Sequence, residues 1–286
     1  MNQRQQLLLE GLERLRARYD ARYLESDPLE FPHRYPDPMD REVIGLVASA
    51  LAFGNVASIR QSLERLCAWM GSRPAEFAIR LSVGPALTAL GGFRHRWIDA
   101  RDVVCLVRWA GLMIQTKGSI GAFFAEGYVE GDMAGSISAF RERALRLDHG
   151  GVYRSRQLPP SARVRFFFPS ALTGACKRTN MYLRWMARPD DGVDLGLWPF
   201  VRTRDLVVPL DTHLYRIGRA LRWTRRKTPG WRTACDITRS LSRLDPDDPV
   251  KYDFALSRMG ILHDCPRHRN GFACELCELR RGLRHR

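Results

Sequence analysis

Leu8, Leu12, Leu15, Tyr19 and Tyr23 recur at steps of three and four, so the chain opens on an amphipathic helix with basic residues on its other faces. In DPMDREVIGLVASALAF, Asp37 is placed to cap a helix that has Pro38 at its first position and Asp40 near the positive end of the dipole. From Val43 to Phe53 this helix is apolar almost all round, which predicts a core helix. Gly54 and Asn55 interrupt the pattern. Val56, Ile59, Leu63, Leu66 and Trp69 restart it, so the two segments form a helical hairpin. Further along, Ala234, Ile237, Leu241 and Leu244 make another helical stripe, and Asp248 with Pro249 repeats the cap-and-proline signature ahead of VKYDFALSRMGIL. Strand alternation is nowhere sustained. Leu147–Arg165 and Ala187–Asp205 mix Gly or Pro with charge and read as connections. The pattern predicts an all-α protein without internal repeats or low-complexity tracts.

Composition adds a partner class. The 286 residues are 45% hydrophobic, enough for one large domain or two smaller ones, and 46 Lys and Arg against 31 Asp and Glu leave a formal charge of +15. Such an excess favours a polyanion, nucleic acid first, although a basic proteome or a solubility surface gives the same sum. The opening MNQRQQLLLEGLERL lacks a signal-peptide core, and no segment approaches the roughly 18 apolar residues that span a bilayer. A soluble, cytoplasmic protein that does not engage a membrane is expected, associated with the nucleoid if nucleic acid is its partner. Seven irregularly spaced cysteines then point to free thiols or metal ligands rather than disulfides.

Candidate chemistry lies between the two connections and just after them. In PSALTGACKRTNMYLRWMAR, the Thr173-Gly174 turn precedes Lys177, and Met181, Leu183, Trp185 and Met186 continue a helical pattern, so Lys177 falls in the first turn of a helix. Unpaired amides and the positive end of the dipole disfavour an ammonium there, which suits a nucleophilic amine. A phosphate-binding lysine is the commoner occupant of that position. In VVPLDTHLYRIG, Asp211 reads as a helix cap, and equally as a carboxylate held ionised by helix amides.

ACKRTNMYLRWMARPDDGVDLGLW followed by VVPLDTHLYRIGRAL resembles the lysine and aspartate segments of the helix-hairpin-helix DNA glycosylase superfamily. Together with FPHRYPDPMDREVIGLVASALAFGNV and DPVKYDFALSRMGI, it is similar over about Phe31 to Cys277 to a bacterial family of unassigned function within that superfamily. The resemblance implies two helical subdomains with a cleft between them, a DNA-glycosylase-like arrangement. Residues 31–203 would form a central bundle ending in the Lys177 hairpin, and residues 1–30 would return to pack with 204–286. It implies that Lys177 attacks the sugar C1′ of a damaged nucleotide flipped out of duplex DNA, assisted by Asp211, as a bifunctional glycosylase and AP lyase. Gly174 stands three places before Lys177, where the usual hairpin has glycines two and four places before. The long interval between Lys177 and Asp211 is similar in style to archaeal 8-oxoguanine glycosylases, which suggests an oxidised purine.

Asn55, at the hairpin turn, falls where glycosylases often insert a polar wedge. Arg178, Arg184 and Arg216 are candidate phosphate contacts; His213 either joins them or packs against the next turn. Trp185, Trp198 and Phe200 are candidates to stack on a flipped base, with core packing as the alternative, and Arg163 and Arg165 beside FFF are candidates for a DNA-facing loop. At the C-terminus Cys265, Cys274 and Cys277 form a C-x8-C-x2-C run. Some members of the superfamily carry a four-cysteine iron-sulfur cluster there; no fourth cysteine follows Cys277, so His263, His268 or His285 could complete a Cys3His zinc site, or Cys235 could come from the preceding helix. A monomer is expected. Two other classes fit the same sequence: a non-catalytic DNA- or RNA-binding module on a glycosylase-like fold, and a glycosylase-derived enzyme acting on RNA or nucleosides.

Overall fold

The computed structural model describes residues 3–261 and is mostly helical. The α-helices are α1 (Gln3–Arg18), α2 (Glu30–His33), α3 (Pro38–Leu51), α4 (Val56–Met70), α5 (Pro74–Ile79), α6 (Val83–Ala89) and α7 (Ala100–Lys117), followed by α8 (Ile120–Ala125), α9 (Met133–Ala144), α10 (Lys177–Ala187), α11 (Thr212–Ala220), α12 (Trp231–Ser242) and α13 (Asp253–Ile261). Short 3-10 helices cover Ala21–Ser26, Arg163–Phe167 and Thr203–Asp205. A two-residue antiparallel hairpin, β1 (Arg94–His95) with β2 (Ile98–Asp99), pairs Arg94 with Asp99 and His95 with Ile98.

α3 forms where its signals place it. Asp37 accepts from the amides of Met39 and Asp40, Pro38 occupies the first turn, and every residue from Val43 to Leu51 is buried. Asn55 caps α4 by accepting from Ser58 at 2.7 Å. α3 and α10 run antiparallel: Gly45 lies against Met186 and Tyr182, the Tyr182 hydroxyl donates to the Glu42 carbonyl at 3.0 Å, and Lys177 reaches the carbonyl of Ala52. A Cβ at Gly45 would stand 2.6 Å from the Met186 methyl, so glycine permits the close approach.

Two boundaries differ from the sequence pattern. α1 ends at Arg18, because Asp20 turns its carboxylate onto the Arg22 amide and starts the 3-10 helix Ala21–Ser26; Tyr19 is buried beyond the helix end and Tyr23 is half-buried. Asp248 does not cap α13. Its carboxylate is held by Arg188 Nε at 2.9 Å, the chain turns through 249–252, and the helix begins at Asp253. α1 packs on α13, where Glu13 accepts from the Tyr252 hydroxyl at 2.6 Å and pairs with Lys251 at 2.9 Å. Among the described residues no helix is long and apolar enough to cross a membrane.

Candidate active site

The loop into α10 starts from the 3-10 helix Arg163–Phe167, so Lys177 follows a 3-10 helix and a loop rather than a second α-helix. The Ser170 carbonyl accepts from the amides of Thr173 and Gly174, each at 3.1 Å, and Leu172 at the tip of this turn is 94% exposed. Cys176 then takes a left-handed conformation (φ 51°, ψ 32°), which costs an L-residue about 1–2 kcal/mol. Its side chain is buried, which pushes the thiol up to about 12. Lys177 is the first residue of α10, half-buried, and its Nζ donates to the Ala52 carbonyl at 3.5 Å. Ala52 is the C-cap of α3, so the ammonium meets the carbonyl end of the core helix.

Asp211 is the N-cap of α11, half-buried, with its Oδ1 accepting from the Leu214 amide at 2.7 Å. α11 packs on α13, whose buried first residue is Asp253. Asp253 Oδ2 accepts from Arg184 Nη1 at 2.6 Å, while Oδ1 has no hydrogen-bond partner among the described residues. Burial raises the Asp253 carboxyl to about 7 against the pull of Arg184, and the negative charge of Asp211 adds to the rise. Arg184 lies seven residues after Lys177, which on an α-helix is two turns away within about 20° of the same face. The Arg184–Asp253 pair thus ties α10 to the start of α13, the helix on which α11 packs.

The remaining candidates separate by burial. Arg184 is 3% exposed, and its guanidinium is committed to Asp194 and Asp253; it faces inward, not toward a phosphate. Trp185 and Trp198 are enclosed in the core. Trp198 donates its indole proton to Glu42 at 2.6 Å and stacks on Phe124, so neither ring offers a face to a flipped base. Phe200 is exposed beside Trp198 and Tyr128; its neighbours Pro199 and Val201 line an open groove of about 610 Å³ that includes neither Lys177 nor Asp211. A second groove, about 630 Å³ over Trp69 and Phe77, also includes neither.

Arg178 turns inward onto the Phe166 ring, 3.4 Å from its centroid, and donates to the Phe166 carbonyl; burial lowers it to about 10, still charged at neutral pH. His213 packs against Gly260 of α13, in keeping with its packing reading. Arg216 and Asn55 are exposed, although the Asn55 carbonyl oxygen is occupied by its own cap. Arg165 ties down its own loop through the carbonyls of Leu158 and Pro159, whereas Arg163 crosses to the Trp97 carbonyl.

Cys265, Cys274 and Cys277, with His263, His268 and His285, lie outside the described residues. Cys235 is half-buried in α12. Among the described residues no group of three His, Cys, Asp or Glu side chains is arranged for a metal.

Asp253 escapes sequence reasoning although it lies in a quoted motif, because its partners Asp211 and Arg184 are distant along the chain. Trp97 escapes it because two-residue strands leave no alternation. Residues 27–262 match the family described as a protein of unknown function (DUF2400). No match appears among curated proteins or solved structures.

Proposed function

We propose that this chain, which belongs to that family, is a DNA repair glycosylase with lyase activity that removes an oxidised purine such as 8-oxoguanine from duplex DNA. The observation that carries the reading is the pairing of two helix starts. Lys177 opens α10 behind a strained left-handed residue, and Asp211 caps α11, which packs on α13, itself tied to α10 by the Arg184–Asp253 ion pair. Strain and a buried carboxyl of raised pKa cluster at functional sites more often than elsewhere. In this reading the cleft lies between residues 31–203 and the remainder of the chain.

The chemistry balances on these two residues. As the C1′–N bond to the base breaks and the base leaves with the electron pair, positive character develops on the sugar, and the Asp211 carboxylate stabilises it. The departing base anion takes a proton from the Lys177 ammonium, the freed amine captures C1′, and passage of an amine proton to the ring oxygen opens the sugar and leaves the protonated imine. The raised Asp253 carboxyl, at the start of α13, is a further proton-bearing group. A cytoplasmic, nucleoid-associated monomer with an iron-sulfur cluster or zinc held by Cys265, Cys274 and Cys277 belongs to the same proposal.

A screen of base release over a panel of lesion duplexes tests it. Asp211→Asn keeps a capping oxygen for the Leu214 amide and should fold with a melting temperature near that of the parent, yet release base at least about a hundredfold more slowly. Equal rates for parent and variant would reduce Asp211 to a cap. No release from any lesion would favour the non-catalytic binding module.

A further inference from the structure

Next to Lys177 the α3–α4 turn, the β1–β2 hairpin, the 3-10 helix Arg163–Phe167 and the start of α10 converge on three aromatic rings. Trp97 stacks on Phe53 with centroids 5.0 Å apart and planes at 28°, and Phe166 meets both rings edge-on at 5.1 and 5.4 Å. Arg178 backs this cluster from beneath Phe166. Trp97, at the two-residue tip of the hairpin, is 40% exposed, in contrast to the fully enclosed Trp109, Trp185 and Trp198.

The tip is held rigidly. Buried His95 bridges the Ser62 hydroxyl and the Phe53 carbonyl, each at 2.9 Å, and Arg163 donates to the Trp97 carbonyl. Arg96 sits at φ 54°, a left-handed conformation that surrounding contacts must maintain, and its side chain passes over Gly54, where a Cβ would lie 3.5 Å from its Cδ. Basic side chains predominate around the ring, with the Asp102 carboxylate close enough to feel Arg163. Arg94, Arg96 and Arg163 are exposed, Lys177 and Arg178 lie behind, and none of the five forms an ion pair with a carboxylate among the described residues; nearby Asp99 is taken by Arg101 at 2.8 Å. A large ring held partly in solvent, with Phe53 stacked on it and the Arg96 guanidinium 5.2 Å from its centroid, is an aromatic platform with cations beside it, the arrangement that stacks on bases while cations hold the backbone.

We infer that the Arg96-Trp97 tip is a base-stacking contact: Trp97 packs against an unpaired base in duplex DNA, and Arg96 and Arg163 hold the adjoining phosphates. The inference rests on the nucleic-acid reading above and adds to it the face on which the opened duplex lies. The test is photo-crosslinking of the full-length protein to a duplex that carries 5-iodo-deoxyuridine opposite a tetrahydrofuran abasic analogue. The crosslink is expected on the Trp97 peptide. Trp97→Leu keeps an apolar side chain against Phe53 but has no ring to stack, and should bind this duplex on the order of tenfold more weakly, while Trp97→Phe retains most of the affinity.

A crosslink elsewhere, or unchanged affinity in a Trp97→Leu protein that melts like the parent, overturns the inference. If that variant fails to fold, the parent crosslink decides alone. Base release without a Trp97 contact removes only the stacking inference. A Trp97 crosslink without base release from any lesion removes only the catalytic reading, and absence of DNA binding removes both.

Discussion

Asp253 gives the candidate site a pH signature of its own. Its carboxyl rises from an ordinary 3.8 to about 7, so the folded state holds this proton more tightly than the unfolded chain does. The stability this supplies is complete below about pH 4 and is lost as pH rises toward about 7. Asp253→Asn still offers Arg184 an oxygen but carries no titrating proton. The difference in unfolding free energy between parent and variant should therefore change in the parent's disfavour across pH 4–7, by a few kcal/mol at most. Asp211→Asn removes the neighbouring negative charge and should shrink that change; an unaltered change would mean that the two carboxyls do not interact. Lys177 and Asp211 were legible in the sequence because helix starts carry local signatures. The burial of Arg184 was not, since an arginine on an amphipathic helix reads as solvated until Asp194 and Asp253 are found beside it.

At the scale of elements, two close helix crossings depend on glycine, at Gly45 and at Gly111. α5 crosses α7 at Gly111, where a Cβ would stand 2.1 Å from the Ala78 carbonyl oxygen. Gly111→Ala should force the two helices apart and cost about 2–4 kcal/mol in denaturant unfolding, whereas Gly84→Ala, in open space on α6, should be neutral or slightly stabilising. Equal stability of the two variants would contradict this packing. Identical signatures also gave different outcomes. Asp37-Pro38 starts a helix because the Asp37 carboxylate is free to receive amides; Asp248-Pro249 does not, because Arg188 occupies that of Asp248. Capping is a competition that a sequence pattern cannot score when the competitor lies sixty residues away.

For the whole molecule, the excess of cations has a measurable consequence if it meets a polyanion. With four or more phosphates contacted, affinity for duplex DNA should fall on the order of a hundredfold between about 50 and 200 mM salt, and a flat response would exclude the phosphate backbone as the main partner. The helical character of the chain was legible throughout, from periodicity and caps. What was hidden is how distant segments meet: α1 lies on α13, and Glu13 reaches Lys251 and Tyr252 in the turn that precedes it. The central claim is that Lys177 is a nucleophile served by Asp211, and its most direct test is borohydride trapping on a duplex containing 8-oxoguanine. An imine between enzyme and sugar is reduced to a stable covalent adduct, which peptide mapping should place on Lys177. Lys177→Gln should lose the adduct while binding DNA nearly as before, and Asp211→Asn should form it far more slowly. An adduct that persists in Lys177→Gln, or none with the parent protein, would contradict the account.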